Sequence, residues 1–415
     1  MHLRHAIRKK YEKLIADERA IILSILISQL KDIELAEDAL QNAFIKAWNN
    51  WQKQGIPNNP KSWLLKTAYN DAIDQIRRKQ NFNRKQLQIS HLYDLMNELN
   101  QQMDDELLID ERLKLVFTCC HPALDQPSQV ALVLSTICDF STEQLALIFL
   151  LKTPTMAQRL VRAKRKIKRS GIPFKTPTVN ELPTRLASVL SVIYFIYNHG
   201  YYAAVNPSLI NNKQTNEAIY LALTLNQLLP EQAELMGLLA LMYFHMARFE
   251  ARVQNPGHVI NLEHQNRMLW DLKLISQAQD WFKKAVSLKS LGPYQIQAAI
   301  SGVHCQAKEF KHTDWHQIIQ LYAKLYEYQP SPIIQINQAV ALTYNKQAQL
   351  AIELLADIEQ NTLDDYLPFY LAKAHALKCL GQKTTAINHF SHAMALSKNK
   401  QEKQFIKSQI ELLNS

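Results

Sequence analysis

Apolar residues recur three and four positions apart along most of this chain, and polar breaks with few glycines separate the runs. Ala36, Leu40, Ala43, Ala47 and Trp51 share one side of a helix. Asp32 stands where a capping side chain is needed, Glu34, Glu37 and Asp38 favour the positive end of the helix dipole, and Gly55 with Pro57 ends the run. The next helix opens on Asn59 as cap and Pro60 at its first position, and continues through Arg78. Beyond it the periodicity fades into Asn, Gln and Lys, so residues 81–105 read as a linker between a first helical unit, 1–80, and a second, 106–172. Pro173, Pro177 and Pro183 mark another boundary, and residues 183–415 are again helical. The fold class expected from this pattern is all-α.

The last unit carries a repeat. Ala339, Leu342, Ala351, Ile352 and Leu355 are matched 35 residues later by Ala374, Leu377, Ala386, Ile387 and Phe390. Ala278, Phe282 and Ala285, then Ile318, Tyr322 and Leu325, repeat the rhythm of a second helix. A period near 34 residues is that of tetratricopeptide-type helical pairs, whose stacks form concave surfaces for peptides or partner proteins.

Two helices carry polar faces with chemistry. On the helix from Pro60 to Arg78, Trp63, Lys66, Thr67, Asn70, Asp74, Arg77 and Arg78 gather on one side, opposite Leu65, Ala68, Ala72 and Ile76. Cations to hold a backbone, an aromatic ring to stack on a base and an amide to read its edge are what unpaired nucleic acid requires. Asp74 can orient Arg77 and Arg78 from one turn away. Taken alone, this face reads better as a solvated charged surface with a half-buried Trp63.

The second unit is more specific. Ser141 opens a short helix with Leu145, Ala146, Phe149 and Leu150 on its buried side, and a break at Lys152-Thr153-Pro154 follows. Thr155 then caps a helix with Met156, Leu160, Ala163 and Ile167 on one stripe and Gln158, Arg159, Arg162, Arg165, Lys166 and Arg169 on the other. Two helices joined by a short turn, the second basic and amphipathic, have the helix-turn-helix layout, in which the second helix enters the major groove of DNA. Gln and Arg pair with base edges, and Lys suits phosphates.

Charge sharpens this division. The chain has a net charge of +10, with 27 Lys and Arg against 19 Asp and Glu up to residue 175 and 20 against 18 thereafter. A basic front half is expected to meet a polyanion and the near-neutral remainder to do something else. The longest apolar stretches, Leu186–Tyr197 and Leu235–Phe244, fall short of a membrane span, and a cytoplasmic protein that does not engage a membrane is expected.

The segments Leu35-Ala36-Glu37-Asp38-Ala39-Leu40-Gln41-Asn42-Ala43-Phe44, Asn59-Pro60-Lys61-Ser62-Trp63-Leu64-Leu65 and Ile73-Asp74-Gln75-Ile76-Arg77-Arg78 resemble region 2 of sigma-70-type factors. Phe117-Thr118-Cys119-Cys120-His121-Pro122-Ala123-Leu124 and the stretch from Thr155 to Ile167 resemble region 4. The particular resemblance is to extracytoplasmic-function sigma factors with a tetratricopeptide-like C-terminal extension, and it continues in Tyr197-Asn198-His199-Gly200-Tyr201 and in Gly292-Pro293-Tyr294-Gln295. It implies a dissociable promoter-specificity subunit of bacterial RNA polymerase, partnered by core enzyme and promoter DNA. Asp38, Gln41 and Phe44 would then dock on core polymerase. Trp63, Lys66, Asn70, Arg77 and Arg78 would meet the −10 element, and Thr155, Gln158, Arg159, Arg162, Arg165, Lys166 and Arg169 the −35 element. The chain departs from the family at Tyr69, where Arg is usual, and at His264-Gln265-Asn266-Arg267, where the family segment carries two acids.

Other chemistry finds no constellation. Cys119 and Cys120 lie about 100° apart on a helix, with no second pair to complete a zinc site, and read as buried thiols. His312/His316 and His389/His392 have helical ligand spacing without a third ligand, so no metal and no cofactor are expected. No nucleophile elbow, Walker loop or dinucleotide fingerprint occurs, and the protein is not expected to be an enzyme. The concavity of the helical array could hold a protein or small ligand, with Arg267, Trp270 and Tyr294 the first residues to test. The competing assignment is a helix-turn-helix regulator with a sensor array, independent of polymerase.

Overall fold

The computed structural model describes residues 11, 18–79, 105–149, 151–178, 180–203, 212–255, 258–358, 366–397 and 400–414. The chain is all-α, with one two-stranded antiparallel ribbon, Val253–Asn255 (β1) against His258–Val259 (β2), among the described residues. The linker expected at 81–105 lies outside them, apart from the first residue of a helix that starts at Asp105.

Contacts divide the chain into two compact units: residues 1–199 with 213–228, and residues 200–212 with 229–415. The first opens with helical residues 18–30 (α1), then Ile33–Gln54 (α2) and Pro60–Lys79 (α3). Asp32 caps α2 as expected, its carboxylate accepting the Leu35 N–H at 3.3 Å. Gly55 closes the helix at φ +83°, where a side chain would be strained. Asn59 caps α3 through Ser62 N–H at 3.1 Å. The four helices Asp105–Cys119 (α4), Gln126–Thr136 (α5), Thr142–Ile148 (α6) and Thr153–Arg169 (α7) follow, and then Leu182–Ala203 (α8) and Asn212–Leu228 (α9).

Contacts run across the position of Pro183. Arg185 on α8 is buried and donates to the Phe117 carbonyl of α4, Gln126 donates to Ser191, and Phe149 stacks on Phe195 at 6.1 Å. Arg112 likewise pairs with Glu217 on α9 and lies over the Tyr220 ring. These contacts tie α8 and α9 to α4, α5 and Phe149, which prolines alone could not reveal.

The second unit is a succession of helix pairs: Ala233–Ala247 (α10) and Leu272–Ser287 (α12), Pro293–Gln306 (α13) and Trp315–Tyr328 (α14), Pro332–Tyr344 (α15) and Ala348–Asp357 (α16), Leu367–Cys379 (α17) and Lys383–Leu396 (α18). A short helix, Phe249–Arg252 (α11), precedes β1, and Lys400–Asn414 (α19) closes the array. The repeat is the core itself. Ala339, Leu342, Ala351 and Leu355 bury in one cluster, Ala374, Leu377, Ala386 and Phe390 in the next, and Ile352 borders both. Glu234 of α10 caps α13 from outside, accepting Tyr294 N–H at 3.0 Å and Gln295 N–H at 3.2 Å. No described helix is long and apolar enough to cross a membrane.

Candidate nucleic-acid interface

On α3 the burial follows the helical stripe. Leu64, Leu65, Ala68, Tyr69, Ala72 and Ile73 are buried, while Lys66, Asn70, Asp74, Arg77 and Arg78 are exposed. Ile76, expected in the core stripe, is half-buried at its edge. Trp63 is also half-buried. Its ring meets Trp51 edge-on at 5.4 Å, and Trp51 in turn meets Tyr11 at 5.8 Å. One edge of the indole is thus fixed by the core, which positions the ring without immersing it. Arg77 approaches Asp74 at 4.0 Å, as its spacing suggests. Tyr69 is 1% exposed, so this position supplies packing and cannot reach a phosphate.

A buried-edge clamp holds α3 against α2. The Asp71 carboxylate accepts from Asn42 at 2.7 Å, Lys46 at 2.9 Å and Gln75 at 3.0 Å. Burial pushes this carboxyl up, but the three donors outweigh it and hold it below the ordinary range. A depressed carboxyl stabilises the fold above its unfolded-state pKa, and that contribution disappears as pH falls through the folded-state value. Asp71→Asn is expected to cost roughly 1–2 kcal/mol at neutral pH. In urea unfolding, the gap between the two proteins should narrow as pH is lowered from about 4 to about 2, and a gap independent of pH over that range would refute the clamp.

Beside the clamp, Asp38 and Gln41 are exposed on α2 and Phe44 is half-buried, with Ile45 54% exposed next to it. Asp38, Gln41, Asp74 and Arg78 line a shared polar cleft of about 410 Å³. The residues expected at core polymerase and at the −10 element therefore border one another across α2 and α3.

In the second basic helix the local chemistry is clear. Ser141 and Gln144 form a reciprocal capping box on α6: the Gln144 N–H donates to Ser141 Oγ at 3.2 Å, and the Ser141 N–H to Gln144 Oε1 at 2.8 Å. The next helix starts three residues earlier than its sequence suggests. Lys152 is the capping position without a side-chain bond, Pro154 sits in the first turn, and Thr155 is inside the helix rather than its cap. Proline favours that first turn because it has no N–H to leave unbonded. Met156, Leu160, Ala163 and Ile167 are buried against α5 and α6. Thr155, Gln158, Arg162, Arg165, Lys166 and Arg169 are exposed, and half-buried Arg159 lies over the Phe149 ring at 5.6 Å.

The flank of α7 has a different task. Lys164 pairs with Glu37 and Lys168 with Asp32, both at the start of α2. These two cations are spent within the unit, a division that periodicity did not distinguish from the outward face. Arg19 on α1 also meets Asp139, before α6, at 3.1 Å. Residues 151–175 hold nine Lys and Arg and no acid, so the outward cations have no counter-charge from their own segment.

The cysteines beneath this face are fully buried. Burial pushes the Cys119 thiol up to about 12 and the Cys120 thiol well above its ordinary value, so both are protonated and unreactive at neutral pH. No group of three metal-ligating side chains occurs among the described residues. His316 lies 3.1 Å from Gln320, and His389 and His392 flank the Tyr370 ring.

Arg267 and Trp270 are structural. Arg267 donates to the His304 and Ala307 carbonyls at 2.7 and 2.6 Å and stacks on buried Trp270, while the Tyr294 N–H is held by Glu234. Asn266 caps the turn before Trp270 through Met268 N–H at 3.1 Å, so an amide does here what the family's acid could do.

Taken together, two helical modules with outward cationic faces define a nucleic-acid-binding protein. Residues 14–82 match the family model for sigma-70 region 2, and residues 185–286 match a family of unknown function. An uncharacterized protein of Rhizobium meliloti is 35% identical over 393 residues, covering 94% of this chain and 93% of that one. No solved structure matches. The N-terminal sigma-70 region 2 supports a sigma-70 family sigma factor and implies binding of core RNA polymerase and promoter DNA in transcription initiation.

Proposed function

We propose that the protein is an extracytoplasmic-function-type sigma factor in which α3 opens and reads the −10 element and α7 reads the −35 element as the second helix of a helix-turn-helix. Asp38, Gln41 and Phe44 dock on core polymerase in this reading, and the C-terminal helix pairs form a tetratricopeptide-like array that regulates activity. The observation that carries it is the separation of roles on α7: an apolar stripe is buried, one cationic flank is neutralised by Glu37 and Asp32, and the remaining face from Thr155 to Arg169 is left for DNA.

The test combines purified protein, core enzyme and a promoter library. Promoter-specific transcripts that require both components support the proposal. Sequence-specific duplex binding without any transcription favours a polymerase-independent regulator.

Within this reading Trp63→Ala should leave closed-complex formation nearly intact and slow strand opening about fivefold or more, since stacking on one base contributes roughly 1–3 kcal/mol. Permanganate footprinting measures the opening directly, and an unchanged rate would remove Trp63 from the stacking role.

A further inference from the structure

The second unit contains a cavity of about 540 Å³ on the faces of α14, α15 and α17, bordered by residues 261–264 and by α19. Volumes of this order accommodate drug-sized molecules. Its wall is aromatic and continuous. Trp315 and Tyr344 stack at 4.8 Å, Phe310 meets both edge-on at 5.1 and 5.0 Å, and Tyr344 leads to His375 at 5.1 Å.

Three polar features distinguish the cavity from a gap in an apolar core. His304 lines it, is 9% exposed, and its Nδ1 has no hydrogen-bond partner among the described residues. A buried, unanswered ring nitrogen costs free energy unless something polar reaches it. Glu263, at the rim, accepts from the neutral Tyr344 hydroxyl at 2.9 Å, and Lys378 donates to the neutral Gln409 amide at 2.8 Å. Neither charge is answered by an ion pair among the described residues. Both line the cavity together with His375, whose imidazole burial holds below its ordinary value, Lys378 lowering it further and Glu263 opposing them.

We propose that this cavity binds a small zwitterion with an aromatic body, of the size of an aromatic amino acid or a dipeptide. Its carboxylate is taken by Lys378, its ammonium by Glu263 and its rings by the Trp315–Tyr344 wall. The chemistry supports a zwitterion over a simple anion or cation because opposite charges stand at one aromatic surface, each with a neutral partner that is readily exchanged. The binding site does not depend on the promoter reading, and it can be tested without polymerase.

The experiment is calorimetric titration of the full chain with L-phenylalanine and with the phenylalanyl-phenylalanine dipeptide. Each probe is tested free, N-acetylated and C-amidated. At least one free probe should bind at submillimolar concentration, and either cap should weaken it about tenfold or more. Glu263→Gln should abolish the discrimination against the acetylated probe, and Lys378→Met that against the amidated one, with circular dichroism confirming the fold. No binding of either free probe up to about 10 mM overturns the proposal, and so does indifference to both caps. Sensitivity to the amide cap alone would make this an anion site, and sensitivity to the acetyl cap alone a cation site, and either result also overturns it.

Discussion

Replacing Arg162 and Arg165 together by alanine should lower affinity for the recognised duplex at least thirtyfold while the helix remains folded. Both side chains are exposed on α7, and alanine is the best helix former, so the change removes cations without disturbing the Met156-Leu160-Ala163-Ile167 seam. A bidentate arginine–guanine contact discriminates by about 1–3 kcal/mol, and two such contacts give roughly 2–6 kcal/mol. Salt separates base contacts from phosphate contacts. Each lost phosphate contact reduces the slope of log affinity against log salt by about 0.9, whereas a lost base contact flattens the preference among sequences. The control is Lys164→Ala with Lys168→Ala. These cations are engaged by Glu37 and Asp32, so their loss should spare the preference and cost stability of roughly 1 kcal/mol or less each. Equal promoter preference for the Arg162/Arg165 variant and the parent would refute the assignment of this face to DNA.

Much of this interface was legible because helices advertise themselves locally. The Asp32, Asn59 and Ser141 caps and the Gly55 stop are each settled within four residues and are read from the sequence, whereas the return bond from Gln144 is seen only in the structure. The 35-residue repeat was equally legible, since every repeat buries the same positions against its neighbour. What sequence reasoning missed is non-local. Nothing near Lys164 says that it meets Glu37, 127 residues away, so an evenly basic helix divides into outward and inward cations only in three dimensions. Arg185 stands two residues after Pro183, where the sequence marks a boundary. Its guanidinium is instead buried on the Phe117 carbonyl, and that contact carries α8 into the first unit. Arg267 and Trp270 had the composition of a ligand site, yet Arg267 donates to the carbonyls at the end of α13 and Trp270 packs under its guanidinium. The aromatic cavity escaped notice because its walls come from segments up to 148 residues apart, Asn261 to Gln409.

Phe117→Ala should produce the largest loss of stability among simple truncations of the first unit. Phe117 is fully buried near the end of α4, within the stretch that resembles a region 4 motif, and its carbonyl anchors Arg185. Truncating a buried phenylalanine costs about 3–5 kcal/mol, from lost transfer free energy and from the cavity that neighbours only partly fill. For a unit of this size each kcal/mol moves the melting temperature by roughly 2–4 °C, so a fall of about 6–20 °C is expected. Because the chain has two compact units, calorimetry should be resolved into separate transitions where they occur, and the shift should fall on the first unit's transition. Phe117→Leu keeps most of the volume and should cost less than about 1.5 kcal/mol. The pair of variants isolates packing from chemistry: Phe117 presents no polar side-chain group, so any loss of DNA binding by the alanine variant must follow its loss of folded protein and be recovered on cooling. Binding that fails at temperatures where the variant is fully folded would mean that this seam sets the pose of α7 directly. A cost under about 1 kcal/mol would mean that α4 and α8 do not close over Phe117 at all.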